Sequence, residues 1–264
     1  MWKIMPKKPQ FKPVATPVEG QALQLQLVEV KAPDGPLLIP YEVRRSRRSR
    51  SIRLTLGYHN QALLTVPYFC PQKHAIDFLR SQGAWLQKAL ETAPPSTTLL
   101  RFLLRRPWLS ALGDSFKLMM SFTTGRPFMV TSAKTREAVF KINAGEAGEA
   151  QLRTHLRDFA GEMLVERTRQ LAAMVGARVG RVTVRDQCTR WGSCSSNRTI
   201  SLNWRLILLK PDLQDYVILH ELAHLTEMNH SLRFWRLLQR YDSLAIKHDR
   251  EITRQAIRIM SLGR

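Results

Sequence analysis

Two histidines and a glutamate near the C-terminal end carry the clearest chemical signal in the sequence. His220, Glu221 and His224 match the pattern HExxH within a stretch, PDLQDYVILHELAHL, that has helical periodicity. On an α-helix, residues four apart lie on one face, so both imidazoles can bind a single zinc ion at about 2.0–2.1 Å. The carboxylate of Glu221, one step around the helix, can hold a metal-bound water. Pro211 fits the first turn of such a helix.

A third histidine and a nearby glutamate are the candidates for completing the ligand set. His230 follows His224 by six positions, beyond a predicted helix end at Met228 and Asn229, where asparagine tolerates the left-handed conformation that reverses a chain. Three histidines and a water would form an open catalytic site rather than a closed structural one. Glu227 is the alternative, as a ligand or as a carboxylate that supports one. In the remaining interpretation, the histidines simply pack in the helix and the loop.

The metal site predicts peptide-bond hydrolysis. Zinc lowers the pKa of its water toward about 7 and polarises the scissile carbonyl, and Glu221 accepts the proton of that water. Tyr241, His248 and several arginines are candidates for a further oxyanion donor, and the linear sequence assigns none of them.

A loop of small residues precedes the predicted metal-binding helix. Residues 190–195 read RWGSCS and are followed by a strand, TISLNW, over 199–204. In one interpretation, an edge strand here lets an extended substrate add by backbone hydrogen bonds. In the other, Trp191 and Trp204 are core aromatics and the loop is a connector.

The surrounding elements change character along the chain and predict an α+β fold. Residues 1–20 form a basic, Pro-rich flexible lead. Residues 21–145 form a β-rich N-terminal part, mostly antiparallel, with one helix over 71–91. Residues 146–264 form a helical core that begins with a long amphipathic helix, which Gly176 ends.

Six arginines lie within ten residues, between two predicted strands: Arg44, Arg45, Arg47, Arg48, Arg50 and Arg53. This density is an electrostatic footprint for phosphates. It favours an alternative function, that of a basic nucleic-acid-associated binding protein whose metal site is idle or recruited. A solvated hairpin tip or edge strand, where charges oppose aggregation, would show the same pattern.

Composition excludes several classes of protein. With 264 residues, 44% of them hydrophobic, the chain can bury a core, so intrinsic disorder is excluded as its main state. The formal net charge of +20 favours anionic partners. No apolar run approaches a membrane helix or a secretory signal, and three cysteines are too few for a disulfide framework. We expect a cytoplasmic protein without a membrane segment, in which Cys188 and Cys194 are inert thiols.

A known family resembles this sequence over roughly residues 40–245. The YgjP-like zinc-dependent metallopeptidases, which are related to SprT-like zincins, are similar in the stretch RWGSCSSNRTISLNWRLILLKPDLQDYVILHELAHLTEMNHSLRFW, and also in YEVRRSRRSRSIRLTL, LTVPYFCP and LSALGDSFKL. The resemblance implies a zincin-like core that acts on protein or peptide substrates. It also implies Zn²⁺ held by His220, His224 and His230, with Glu221 as catalytic base. The histidine spacing equals that of metzincins, but Glu227 replaces their turn glycine, and the Trp-Gly-Ser-Cys loop over 191–194 favours the YgjP-like assignment.

Overall fold

The computed structural model describes residues 26–57, 60–93 and 97–263. They divide between Ser96 and Thr97 into two compact units. The predicted lead over 1–20 lies outside the described residues. The sequence boundary at 145/146 falls inside the second unit, where a strand gives way to a long helix. Within the described ranges, no helix combines the length and the apolar character that a membrane span requires.

The first unit is a four-stranded sheet packed against two helices. Its elements are β1 (Gln26–Ala32), β2 (Gly35–Ser46), β3 (Arg53–Leu56), β4 (Ala62–Pro67), α1 (Gln72–Ser81) and α2 (Gly83–Thr92). The strand order is β1-β2-β4-β3, in which β2 and β4 are parallel and the outer pairs are antiparallel. Its core includes Val30, Leu64, Leu79 and Leu86, which are fully buried.

The prediction of a single helix over 71–91 is wrong, because the chain forms two helices that meet at Gln82. Gln82 leaves the helical conformation, with φ −98° and ψ 23°. The next residue, Gly83, lies so close to β1 that a Cβ would be 1.7 Å from the carbonyl oxygen of Lys31. A glycine is therefore required where α2 begins, and this tertiary contact leaves no periodic signal in the sequence.

The second unit contains two sheets and the remaining helices. Its elements are α3 (Leu99–Arg105), β5 (Trp108–Ala111), β6 (Asp114–Phe122), β7 (Phe128–Ser132), β8 (Glu137–Ile142), α4 (Glu146–Met174), β9 (Arg181–Arg185), β10 (Gly192–Cys194), β11 (Thr199–Asn203), a 3-10 helix (Trp204–Leu208), α5 (Pro211–Ala223), α6 (Leu232–Tyr241) and α7 (Ala245–Met260). One sheet has the order β5-β6-β8-β7 and the other β10-β11-β9.

Parallel and antiparallel strands mix in each sheet. The order β5-β6-β8-β7 repeats the topology of the first unit, again with a parallel pair in the middle. In the third sheet, β11 pairs with β10 antiparallel and with β9 parallel. The protein is therefore mixed α/β, with strands and helices in both units.

The long helix α4 ends as the sequence predicts. Gly176 has φ 69°, and the amide of Ala177 donates to the carbonyl of Ala172 at 2.8 Å, which closes the helix with a left-handed glycine. The side chain of Arg167 on α4 donates to both carboxylate oxygens of Asp215 on α5, with Nε 2.8 Å from Oδ1. This two-bond contact fixes α5 against α4.

Helix α5 begins at Pro211, as predicted, and is buried on all sides. From Leu213 to Ala223, every residue except Asp215 is buried. Such a helix belongs to the interior of its unit, so any polar group that it carries has its position set by dense packing.

Candidate metal centre

The structure brings three imidazoles together at the end of α5. His220 lies in the last turn of the helix, His224 directly follows it, and His230 lies in the loop before α6. One ligand atom from each lies within 4.8 Å of the other two. Nε2 of His220 and Nε2 of His230 are 3.0 Å apart. Two nitrogens that share a tetrahedral zinc ion would be about 3.4 Å apart, so the spacing suits a common ion.

The orientation of His224 also suits a metal ligand. Its Nδ1 is 3.0 Å from the backbone carbonyl oxygen of Glu227, so Nδ1 carries the proton that it donates and Nε2 keeps a lone pair. That Nε2 is buried and has no hydrogen-bond partner among the described residues. A buried acceptor of this kind is what a bound cation would satisfy. Glu227 thus supports His224 through its main chain.

Burial keeps the three imidazoles neutral. It lowers the pKa of His220 to about 2, where the neighbouring His224 and His230 act in the same direction. It lowers the pKa of His224 to about 4, against the opposing hydrogen bond to the Glu227 carbonyl. The pKa of His230 is lowered for the same reason. All three lone pairs are therefore free of protons at pH 7, the state that a metal requires.

A phenylalanine that the sequence analysis missed packs against all three rings. Phe234 on α6 is fully buried. Its ring stacks on His224 with centroids 4.6 Å apart, and its centroid lies 4.9 Å from that of His220 and 4.7 Å from that of His230. The side chain of Ser231 caps α6 by accepting from the Phe234 amide. The Ser-x-x-Phe cap after His230 was the available signal.

The chain reversal between His224 and His230 differs from the prediction. Helix α5 ends at Ala223, whose carbonyl accepts from the amide of Glu227 at 2.9 Å. Asn229 is not among the described residues with positive φ, so the expected left-handed turn there is wrong. The carbonyl of Asn229 instead accepts from the Ser231 amide at 2.7 Å, and α6 starts at once.

The carboxylate of Glu221 lies against the backbone of β10 at Gly192. Its side chain is buried, and Oε1 has no hydrogen-bond partner among the described residues. Burial raises the pKa of the carboxyl to about 8, while the charge of Arg190 opposes that rise. A Cβ at Gly192 would lie 2.6 Å from Oε1 and 2.7 Å from Cγ of Glu221. Only a glycine permits this approach, and the glycine of RWGSCS by itself does not indicate which side chain it meets.

The two tryptophans and the two candidate oxyanion donors named in the sequence analysis lie in the following surroundings. Trp191 and Trp204 are fully buried, as the core interpretation predicts. His248 is buried on α7, with Nδ1 2.6 Å from a carboxylate oxygen of Asp242. Tyr241 lines a cavity with Met174, Val175, Leu237 and Arg240.

Cys194 has the character of an inert thiol. Burial and the nearby Glu221 raise the pKa of Cys194 to about 11. At neutral pH the group is therefore the thiol and not the thiolate that binds metals. The candidate metal group within the described ranges contains histidines alone.

Comparison with known proteins identifies a family match. Residues 50–255, which are 206 of the 264 residues, match the family described as YgjP-like, metallopeptidase domain. A solved structure, described as the metallopeptidase zymogen of Pyrococcus abyssi abylysin, is 26% identical, with a TM-score of 0.32. The match covers 36% of this chain and 96% of that one. A comparison with curated proteins gave no significant match.

Proposed function

Because the chain belongs to the YgjP-like metallopeptidase family, we propose that it is a zinc-dependent peptidase whose metal ligands are His220, His224 and His230. The observation that carries this proposal is the convergence of the three ligand atoms within 4.8 Å of one another. A set of three neutral imidazoles suits Zn²⁺ and leaves a coordination position for water or substrate.

The chemistry of the site divides between the metal and the chain. Zinc, when bound, would supply a Lewis acid for the scissile carbonyl and lower the pKa of a water. Glu221 is the proposed general base. Its carboxylate would accept the proton of the attacking water and return it to the leaving amine. Burial raises the affinity of this carboxyl for a proton, and the positive charge of a bound metal ion would act in the opposite direction and keep the group ionised, as a base must be.

The edge strand β10 is the proposed substrate-binding element. Among the described residues, β10 pairs only with β11, with Gly192 opposite Leu202 and Cys194 opposite Ile200. Its other edge is the place where an extended peptide could add by backbone hydrogen bonds. Since Gly192 lies against Glu221, a peptide on this edge would lie beside the base. An extended binding mode favours unfolded protein segments as substrates.

Removal of the metal tests the proposal. We expect purified protein to contain about one zinc per chain and to hydrolyse an unfolded casein substrate. Treatment with a zinc chelator should abolish hydrolysis, and added Zn²⁺ should restore it while Mg²⁺ should not, because imidazole sites bind magnesium poorly. Metal analysis and release of peptide fragments measure the two quantities. Full hydrolysis by metal-free protein would contradict the proposal.

Substitution of Gly192 tests the placement of Glu221. The added methyl group in Gly192→Ala would overlap the carboxylate, so Glu221 must shift. A displacement of about 1 Å can reduce catalysis about 100-fold, so we expect kcat/KM to fall by roughly 10–100-fold with zinc content unchanged. Ser193→Ala is the control in the same strand and should stay near wild type. Equal kcat/KM for Gly192→Ala and Ser193→Ala would argue against this placement.

A further inference from the structure

The first unit carries a surface that contains none of the proposed metal ligands or Glu221. We define the arginine-aromatic patch as Arg47, Arg48, Arg50, Tyr68 and Phe69. Strands β2 and β3 flank β4, so the connection over 47–52 crosses the end of β4 from which Tyr68 and Phe69 continue. The two segments therefore lie side by side.

Hydrogen bonds join these two segments. Nη1 of Arg45 donates to the carbonyl of Tyr68 at 2.9 Å and to the carbonyl of Cys70 at 2.5 Å. The Cys70 amide donates to the carbonyl of Pro67 at 3.0 Å and closes a turn around the two aromatic residues. Arg45 thus links the two segments through its side chain.

The arginine connection is itself a constructed turn. The Ser49 amide donates to the carbonyl of Ser46 at 3.2 Å, and the buried Ser49 hydroxyl donates to the carbonyl of Ser51 at 2.9 Å. With the serine turned inward, Arg47, Arg48 and Arg50 are exposed. Serines therefore set the shape of the turn, and arginines form its outer surface.

The aromatic part of the patch is unusually open. Phe69 is 90% exposed, and its ring meets that of Tyr68 edge to face at 5.1 Å. The guanidinium of Arg47 lies over the Tyr68 ring, 5.1 Å from its centroid. A phenylalanine left in water gives up the free energy of burial, so two neighbouring exposed rings beside cations form a candidate binding surface.

Positive charge around these rings is not neutralised by the local sequence. Between Val43 and Ile76 there are six arginines and no acidic residue. Arg44 forms an ion pair with Glu42. By contrast, Arg48, Arg50 and Arg53 make no ion pair within 4.0 Å among the residues that the structure describes. Exposed cations without partners attract a polyanion, and a flat ring beside them offers a place to stack.

We propose that the arginine-aromatic patch binds single-stranded nucleic acid, with a base stacked on Phe69 and backbone phosphates on Arg48 and Arg50. Stacking platforms beside cationic grooves bind single strands, because every unpaired base offers a π-face. A duplex buries those faces and would leave Phe69 unused. An anionic membrane is disfavoured because the apolar part of the patch is only two rings, one of which carries a hydroxyl. This proposed nucleic-acid binding does not depend on the metal centre.

Fluorescence anisotropy of the full-length protein with a labelled oligothymidylate of about 20 nucleotides tests the proposal at several salt concentrations. We expect Phe69→Ala to weaken binding about tenfold through lost stacking, with the salt dependence unchanged. We expect Arg48→Ala/Arg50→Ala to reduce the slope of log affinity against log salt by about 1.4, since each phosphate contact on a single strand contributes about 0.7. An oligouridylate of equal length shows whether the sugar matters.

Matched variants in the second unit provide the controls. Phe122 is 63% exposed, and Phe122→Ala removes a ring elsewhere; Arg101→Ala/Arg105→Ala removes two exposed charges from α3. Both should bind as wild type, as should Glu221→Gln, which separates this proposal from the peptidase proposal. Equal losses in Phe69→Ala and Phe122→Ala would overturn it. So would tighter binding of a duplex, or a Phe69→Ala defect confined to phosphatidylserine vesicles.

Discussion

Glu221→Gln should keep about one zinc per chain and lose hydrolysis of unfolded casein by about 10²–10⁴-fold, the usual contribution of a general base. The amide has the size of the carboxyl, so it can occupy the same space against Gly192. It cannot accept a proton from water. We therefore expect the loss in kcat, measured as peptide release, with unchanged metal content and an unchanged thermal unfolding midpoint.

A neighbouring carboxylate provides the control for this variant. Glu227 contacts His224 through its backbone carbonyl, so Glu227→Gln should retain both zinc and activity. Equal hydrolysis by Glu221→Gln and wild type would remove Glu221 from the mechanism. If purified wild type shows no Glu221-dependent hydrolysis of any protein, the alternative of a basic binding protein with an idle metal site would stand.

His224→Ala should lose both the metal and hydrolysis. Loss of an outer partner of a ligand typically costs 10–100-fold in metal affinity, and removal of the ligand itself should exceed the upper end of that range, about 100-fold. The variant also opens a space beside Phe234, whose ring stacks on His224, so circular dichroism is needed to show that the fold persists. Zinc content and kcat/KM measure the effect.

An exposed histidine in the first unit controls for the loss of any imidazole. His74 on α1 is exposed, and His74→Ala should bind zinc as wild type does. A full complement of zinc in His224→Ala would contradict the proposed ligand set. Glu227 is the alternative that the sequence leaves open for His230, and it would be the first residue to test if His230 proved dispensable for zinc binding.

Local patterns predict the parts of the site that lie on one element. Pro211 and the spacing of His220 and His224 suffice to predict the helix and the face that carries the two imidazoles. Both features depend on helical geometry alone. His230 could also be predicted as a ligand, because a short reversal is the simplest way to return a chain to a helix end. The prediction of a left-handed residue at Asn229 was wrong, because the chain turns into α6 through the cap formed by Ser231.

The contacts made between elements could not be read from the sequence. Gly192 matters because β10 passes within contact of Glu221, and the glycine alone does not indicate which side chain it approaches. Gly83 is similar, since its neighbour is the main chain of β1. The parallel pairing of β9 with β11 depends on where the chain crosses over, which alternating hydrophobic residues do not specify.

The hydrogen-bond partner of His224 is the backbone carbonyl of residue 227 and not a side chain. Every amino acid supplies the same oxygen, so the tautomer of the ring is secured by the path of the chain and not by the identity of residue 227. The turn can therefore accept different side chains, including charged ones like the glutamate present here, without retuning the imidazole.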